Sequence, residues 1–355
     1  MHGGSPGPSG VVGRVRGQPY AAPSADRRPD SLAPVLTSPR RDHVSAVVVA
    51  FRSAPYLAAC TQALLAAGVD DVVLVDNNDD DDSDAAAIRA LCDASPGVVR
   101  HMKTGRNLGF GGACNAGAAT ATDADVLWFV NPDTVAAPGS ARTLVEAMRA
   151  EGYALASPLL TTGPRGQETI WFGGGTFDLR AGRARHDLLG APAAAAPTTP
   201  VECTFLTGAA LAVTRDAWAA LGGFAKEYFL YWEDSDLSWR ATQAGLRLGL
   251  VPAAVVWHAE GASSAQDGDS GRSAVGYYYH ARNRLLLARR TGHLLGWAAG
   301  AGLLATVKPV TAALLKERSG RKSVAALRGT LDGLAGRHTR RYHASTAPRP
   351  SAQRQ

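Results

Sequence analysis

The sequence predicts an α/β protein: a doubly wound, mainly parallel sheet, then a smaller β region, then a C-terminal helical extension. Three observations carry this. Consecutive apolar, β-branched runs at 44–51, 71–75 and 126–130 alternate with helix-periodic segments, the pattern of strands buried on both faces. From about 154 to 213 the pattern changes to short strands and glycine-rich turns, and after Ser273 it is helical to about Arg341. Acidic residues close strands or loops at Asp76, at Asp133 and in Trp232-Glu233-Asp234-Ser235-Asp236, and the carboxyl edge is where such sheets bind ligands.

Residues 44–51 read as the first strand. Ser53 is placed to cap the next helix, whose buried face carries Leu57, Cys60, Leu64 and Leu65 and which Gly68 ends. A strand at 71–75, a helix at 85–92 and a strand at 98–103 follow, then a glycine-rich turn at 105–112 and a small-residue helix at 113–121. The fourth strand, 126–130, runs into Asn131-Pro132-Asp133, and 140–151 is helical. Residues 191–200, rich in Ala, Pro and Thr, read as a flexible surface loop. A short helix at 216–221 ends at Gly222-Gly223, and one at 234–244 ends at Gly245. Strands at 246–251 and 255–257 complete the domain, which the pattern bounds at 43–272. The helical extension spans 273–341, between a disordered basic leader at 1–42 and a disordered tail at 342–355.

The composition, 46% hydrophobic and 19% charged, is that of a globular chain. The net charge of +6 concentrates toward the two ends, which favours an anionic partner or simply marks solvated tails. Those basic residues lack interleaved aromatics, which argues against nucleic acid. The four cysteines show no close pair and no metal-type spacing with histidine, and fit free thiols in a reducing compartment.

Each site residue has a structural reading beside the functional one. Asp76 ends a buried strand, where its carboxylate accepts the imide N–H of a pyrimidine or closes a turn. The run Asp79–Asp84 lacks the spacing of a calcium loop and reads as solvated. The turn Gly105-Arg106-Asn107-Leu108-Gly109-Phe110-Gly111-Gly112, with Asn115 on the helix after it, lets backbone N–H groups and Arg106 approach a diphosphate, although its spacing is not the dinucleotide fingerprint. Asp133 and His258, each at a strand end, would suffice for a hard cation whose other ligands are phosphate and water; a lone histidine there is otherwise a packing residue. Asp234, beside Glu233 and Asp236 at a helix start, is a base for an acceptor hydroxyl or a helix cap.

The ordered set of these pieces resembles family 2 glycosyltransferases of the GT-A fold, nearest the rhamnosyltransferase-like branch that builds bacterial cell-surface polysaccharides. The resemblance covers 44 to about 290 and rests on Val75-Asp76-Asn77-Asn78, Asn107-Leu108-Gly109-Phe110-Gly111-Gly112-Ala113-Cys114-Asn115, Asn131-Pro132-Asp133-Thr134, Thr207-Gly208-Ala209, Gly222-Gly223-Phe224, Trp232-Glu233-Asp234-Ser235-Asp236-Leu237, Trp257-His258 and Tyr279-His280-Ala281-Arg282-Asn283-Arg284. It implies an inverting enzyme using Mg²⁺ or Mn²⁺. Asp76 and the backbone near Phe51 and Arg52 would bind the base. Arg106, Asn107, Gly109, Phe110 and Asn115 would hold ribose and diphosphate, and Asp133 and His258 the metal. Asp234, with Glu233, would act as base, and Trp232, Gly208, Arg282 and Arg284 would meet the acceptor. The first position of the metal motif is Asn131, and Ala50-Phe51-Arg52 stands where the family usually has Thr-Tyr-Asn. The implied donor is dTDP-rhamnose, with a UDP-linked galactofuranose or hexose as the alternative. The implied acceptor is a cell-envelope glycan or a polyprenyl-linked one.

Residues 294–315 are apolar but carry Lys308 and Pro309, and Lys316, Arg318, Arg321, Lys322 and Arg328 follow. This reads as an interfacial helix pair at the inner face of the plasma membrane, making the protein cytoplasmic and peripheral, or else as a packing or homo-oligomer contact. Two further functions compete: a sugar-1-phosphate nucleotidyltransferase, which needs a basic glycine-rich loop that residues 50–55 lack, and an inactive nucleotide- or glycan-binding scaffold, against which the joint presence of Asp76, Asp133, Asp234 and His258 argues.

Overall fold

The computed structural model describes residues 41–79, 82–259, 273–315 and 317–338. The expected leader and tail lie outside them, apart from residues 41 and 42. The chain runs β1 (Val44–Ala50), α1 (Ala54–Ala67), β2 (Asp71–Asp76), α2 (Ala85–Ala94), β3 (Val99–Lys103), α3 (Phe110–Thr120), β4 (Val126–Val130), β5 (Thr134–Ala136), α4 (Ser140–Glu151) and β6 (Leu155–Thr162). There follow β7 (Thr169–Phe172), β8 (Gly175–Asp178), β9 (Arg183–His186), β10 (Val201–Cys203), β11 (Ala210–Thr214), α5 (Arg215–Leu221), α6 (Glu233–Gln243) and β12 (Leu248–His258). Four helices close the described chain: α7 (Ala274–Arg290), α8 (Leu294–Ala298), α9 (Leu303–Leu315) and α10 (Gly320–Leu334).

The sheet order is β10-β12-β6-β11-β4-β1-β2-β3, with β5 on β12 and β7 on β6, while β8 and β9 form a separate hairpin. β1, β2 and β4 are buried along their whole length and pair in parallel, β4-β1-β2-β3. This is the expected doubly wound half. β11 enters antiparallel between β4 and β6, which ends the parallel run and begins the second region. Pairing in register aligns the carboxyl ends: Ala50 faces Asp76, and Asp76 faces Lys103. α3 lies close on this sheet because Gly117 has no side chain; a Cβ there would stand 2.5 Å from Val47 and 2.7 Å from Val75.

Several local expectations change. The two strands expected at 246–257 are one strand, β12, with a register shift between Val251 and Val255; Pro252 lies inside that shift and cannot donate to a ladder. The segment 191–200 is tied down: Ile170 N–H donates to the Ala191 carbonyl at 2.7 Å and Ala193 N–H to Glu168 at 3.0 Å. Ser53 does not cap α1 through its side chain. Asp84 does that work from a distance, its Oδ1 accepting the N–H groups of Ser53 (2.7 Å) and Ala54 (2.6 Å). Asp84 is therefore fully buried rather than part of a solvated acidic run.

Asp84→Ala is expected to cost about 2–4 kcal/mol, since it strands buried backbone donors, and a lowered urea midpoint with an unchanged slope would show it.

Candidate active site

The edge formed by the ends of β1 and β2 is tied into one unit. Asn77 N–H donates to Ala50 at 2.9 Å. The Asn78 amide donates to Asp76 and Asp84, each at 2.9 Å, and its carbonyl accepts the Arg52 N–H at 3.1 Å. Asp76 Oδ1 also takes the Asn78 N–H, at 3.2 Å. Its Oδ2 is buried without a hydrogen bond; His101 Nε2 stands 3.8 Å off. Phe51 and Arg52 flank this edge half-buried, with the guanidinium 5.3 Å from the phenyl ring and Arg52 at φ +53°.

The glycine-rich turn is braced from within. Asn77 donates to Asn107 Oδ1 at 3.1 Å and accepts from Leu108 N–H at 2.8 Å, while Asn107 Oδ1 also takes the Gly109 N–H at 2.8 Å. Gly109 sits at φ +76° with its Cα side pressed on Phe229; a Cβ would be 2.1 Å from the Phe229 carbonyl, which accepts Phe110 N–H at 2.8 Å. No residue other than glycine fits there. Asn115 clamps both backbone groups of Phe224, donating to its carbonyl at 2.8 Å and accepting its N–H at 2.9 Å. The expected ribose or diphosphate contact through Asn115 is thus replaced by a structural one, and Asn107 likewise shapes the turn. Arg106 remains exposed at the rim of the turn.

Pairing of β5 with β12 sets Thr134 opposite His258, which brings Asp133 Oδ1 to 3.3 Å from His258 Nε2, both side chains nearly buried. Cis ligands at about 2.1 Å from one cation are about 3 Å apart, so the pair is spaced for a shared ion. Among the described residues no group of three or more His, Cys, Asp or Glu side chains could hold a metal. The donor set fits a hard cation only if substrate oxygens supply the rest.

The three acids of α6 separate by environment. Asp236 is fully buried and neutralised by Arg240 (2.7 Å) and Arg290 (3.2 Å), with the Tyr228 hydroxyl donating at 3.2 Å. Asp234 is partly open; Oδ2 accepts Gly208 N–H at 3.1 Å and Oδ1 accepts Ser235 N–H at 2.7 Å. Burial raises its pKa, opposed by those N–H donors and by His186. Glu233 is buried against Gly111, its Oε2 has no partner, and desolvation followed by the Asp234 charge pushes its pKa up to about 8. Of the two, Glu233 is the one pushed to about 8, while the Asp234 carboxylate keeps two N–H donors that favour its charged form. Gly208 therefore serves this site by orienting Asp234.

The loop entering α6 is strained: Phe229, Tyr231 and Trp232 sit at φ +66°, +67° and +73°, a region that bulky residues avoid. α7 holds it there. Asn283 donates to the carbonyls of Tyr228, Leu230 and Tyr231, each at 2.8 Å, and Arg282 to those of Glu227 (2.7 Å) and Tyr228 (3.0 Å). Arg282 is fully buried and stacks 4.7 Å from the Tyr279 ring. The expected acceptor contact through Arg282 thus meets a buried side chain engaged with this loop, and Arg284 is likewise buried, donating to the carbonyls of Gly182 (3.0 Å) and Ala181 (2.8 Å). Trp232 is also largely core, packed against Phe177, His280 and Trp297.

Sequence reasoning passed over Trp171 and His186. Their rings lie 4.9 Å apart, the Trp171 carbonyl is 3.1 Å from His186 Nδ1, and the indole is 4.5 Å from the His258 ring. The available signal was alternation: Ile170 and Phe172 are fully buried, which leaves Trp171 on the more open face of β7.

Asn283→Ala is expected to lower turnover by roughly 10- to 100-fold by loosening the loop before Asp234, with nucleoside diphosphate affinity kept; Asn283→Asp, which cannot donate, would not restore it. Steady-state kinetics alongside calorimetric binding separates the two.

The chain matches the family described as Glycosyl transferase family 2 over residues 45–192 and Glycosyl transferase family group 2 over residues 129–313, the latter just over half of its length. It is 31% identical over 220 residues to N-acetylglucosaminyl-diphospho-decaprenol L-rhamnosyltransferase of Mycobacterium tuberculosis, an alignment covering 56% of this chain and 69% of that protein. Among solved structures it is similar to GalNAc-T7 with UDP, GalNAc and Mn²⁺ (TM-score 0.56, 15% identity, 84% of this chain and 55% of that one). It is also similar to the mannosyltransferase PcManGT from Pyrobaculum calidifontis with GDP-Man and Mn²⁺ (TM-score 0.51, 13% identity, 83% and 88%). Those two likenesses concern the fold, which is GT-A. A family match across both halves of the sheet, with a relative covered over most of its length, means that the chain belongs to glycosyltransferase family 2 and is a glycosyltransferase.

Proposed function

We propose that this protein transfers a sugar, with inversion at the anomeric carbon, from a pyrimidine nucleotide donor to a cell-envelope glycan on a polyprenyl carrier. Rhamnose from dTDP-rhamnose is the first choice, in keeping with the name of the 31% identical relative; a UDP-linked sugar is the alternative. The observation that carries the reading is Asp76 Oδ2, a buried acceptor with no hydrogen bond at the carboxyl edge of the sheet. Leaving such a group unmet is costly, and the imide N–H of thymine or uracil meets it. Arg106, exposed at the turn, is available to the diphosphate.

Asp133 and His258 would hold Mg²⁺ or Mn²⁺ with the donor diphosphate. When bound, such a cation offsets charge building on the leaving group. Asp234 takes the acceptor proton as the hydroxyl attacks in line. Gly208 and Ser235 hold its carboxylate in place, and Glu233, kept neutral by burial, adds no second negative charge beside it.

The first test is turnover of a panel of dTDP-, UDP- and GDP-sugars with a membrane lipid extract. One nucleoside diphosphate should be released, and Asp234→Asn should lower that rate by about two to four orders of magnitude. Wild-type protein that binds no nucleotide would overturn the reading.

Glu233 gives a pH signature. Its folded pKa of about 8 lies above the ordinary 4.5, so its share of stability is complete below 4.5 and is lost as pH rises through 8. Glu233→Gln removes that loss. The variant should gain on the wild type in melting temperature between roughly pH 5 and pH 9.

The same reading places the protein on the inner face of the plasma membrane. Residues 294–315 are apolar enough to cross a bilayer by composition, but α8 and α9 are separate helices and α9, at 13 residues, is too short to span. Leu295, Leu304 and Leu315 are 82%, 75% and 73% exposed, and α10 adds Val324, Leu327 and Leu331. Lys308, Arg318, Arg321 and Arg328 are exposed among them; the acids Glu317 and Asp332 are paired with Lys322 and Arg337. Such a surface suits an anionic interface. Co-sedimentation with phosphatidylglycerol vesicles should exceed that with phosphatidylcholine, and Leu304→Glu with Leu331→Glu should abolish it.

A further inference from the structure

In an in-line displacement the sugar ring lies between the leaving diphosphate and the attacking hydroxyl. From one of those ends, Asp133 with His258, a line of aromatic side chains runs toward the other, Asp234. Asp133 is 3.3 Å from His258. The His258 ring is 4.5 Å from Trp171, and Trp171 is 4.9 Å from His186. His186 is among the groups that oppose the upward shift of the Asp234 pKa.

Two features make this line a built wall. β7 pairs with β6 so that Ile170 and Phe172 enter the core while Trp171 keeps part of its surface open. His186 is fixed by its own neighbours: Nδ1 on the Trp171 carbonyl at 3.1 Å, with the Phe172 and Phe205 rings at 5.1 and 5.8 Å. With Nδ1 engaged, Nε2 is the atom left to meet a ligand.

We infer that Trp171 is the surface against which the transferred sugar rests, with His186 as the polar group that meets a hydroxyl of that sugar or of the acceptor. This deepens the transferase reading above and rests on it. An indole presents a rigid apolar face to the C–H groups of a pyranose at little entropic cost, and a polar group beside it fixes which hydroxyl is read. Trp171 is then a specificity-determining residue for the sugar, with no part in holding the nucleotide.

The test compares wild type, Trp171→Phe, Trp171→Ala and His186→Ala, each with Mn²⁺, checking folding by melting temperature. Titration with dTDP and with UDP reads the nucleotide site alone; turnover of dTDP-rhamnose and of UDP-hexoses reads the sugar. Trp171→Ala should bind the nucleoside diphosphate within about twofold of wild type, while kcat/KM for the donor falls by about tenfold or more, and Trp171→Phe should recover most of it. Unchanged kcat/KM in Trp171→Ala would overturn the inference. So would a parallel loss of nucleoside diphosphate affinity, which would make Trp171 a support for His258. Wild-type protein that binds neither nucleoside diphosphate would instead sink the transferase reading beneath it.

Discussion

Between Glu227 and Tyr231 the backbone belongs to no helix or strand, yet every carbonyl along it has a donor. Arg282 and Asn283 take those of Glu227, Tyr228, Leu230 and Tyr231, and Phe110 N–H takes that of Phe229. Arg282 Nε in turn donates to Asn283 Oδ1 at 2.8 Å, which fixes how the amide points. This satisfaction of an irregular buried segment lets three bulky residues stay in the left-handed region, where each costs on the order of 1–3 kcal/mol. The start of α6 follows from it, and with that start the placement of Glu233 and Asp234.

The second constraint is electrostatic. Three carboxylates lie within one turn of α6, and the protein gives each a different fate. Two arginines neutralise Asp236, burial and then the Asp234 charge push Glu233 up to about 8, and two N–H donors oppose the rise that burial imposes on Asp234. Environments that push neighbouring acids apart are how one of them becomes usable as a base.

Much of this was legible in the chain. The buried parallel strands announce themselves by unbroken apolar runs, and register brings their ends to one edge of the sheet. Asp133 with His258 emerged as a pair because both close strands. What stayed hidden was who holds whom. Asn115, Arg282 and Arg284 look like ligand contacts in a linear reading, but their partners include carbonyls 50 to 110 positions away (Asn115 with Phe224 at a separation of 109, Arg282 with Tyr228 at 54, Arg284 with Gly182 at 102). Asp84 is similar: within an acidic run nothing local shows that its neighbours in space are the N–H groups of another helix. Trp171 was hidden for a different reason, since a single aromatic in a short strand carries no periodic signal.

The close fit of α10 on α7 has a consequence for modularity. Gly329 and Gly333 have no room for a Cβ, which would stand 2.2 Å from the Tyr278 carbonyl and 2.6 Å from that of Arg282. The helices that look like an appendage after the sheet domain are therefore the backing of the segment that leads into Glu233 and Asp234. A fragment ending before α7 would keep the edge formed by β1 and β2 and lose the donors that hold the loop at 227–231. Grafting the terminal helices of one such transferase onto another would therefore exchange the support of that loop along with the helices themselves.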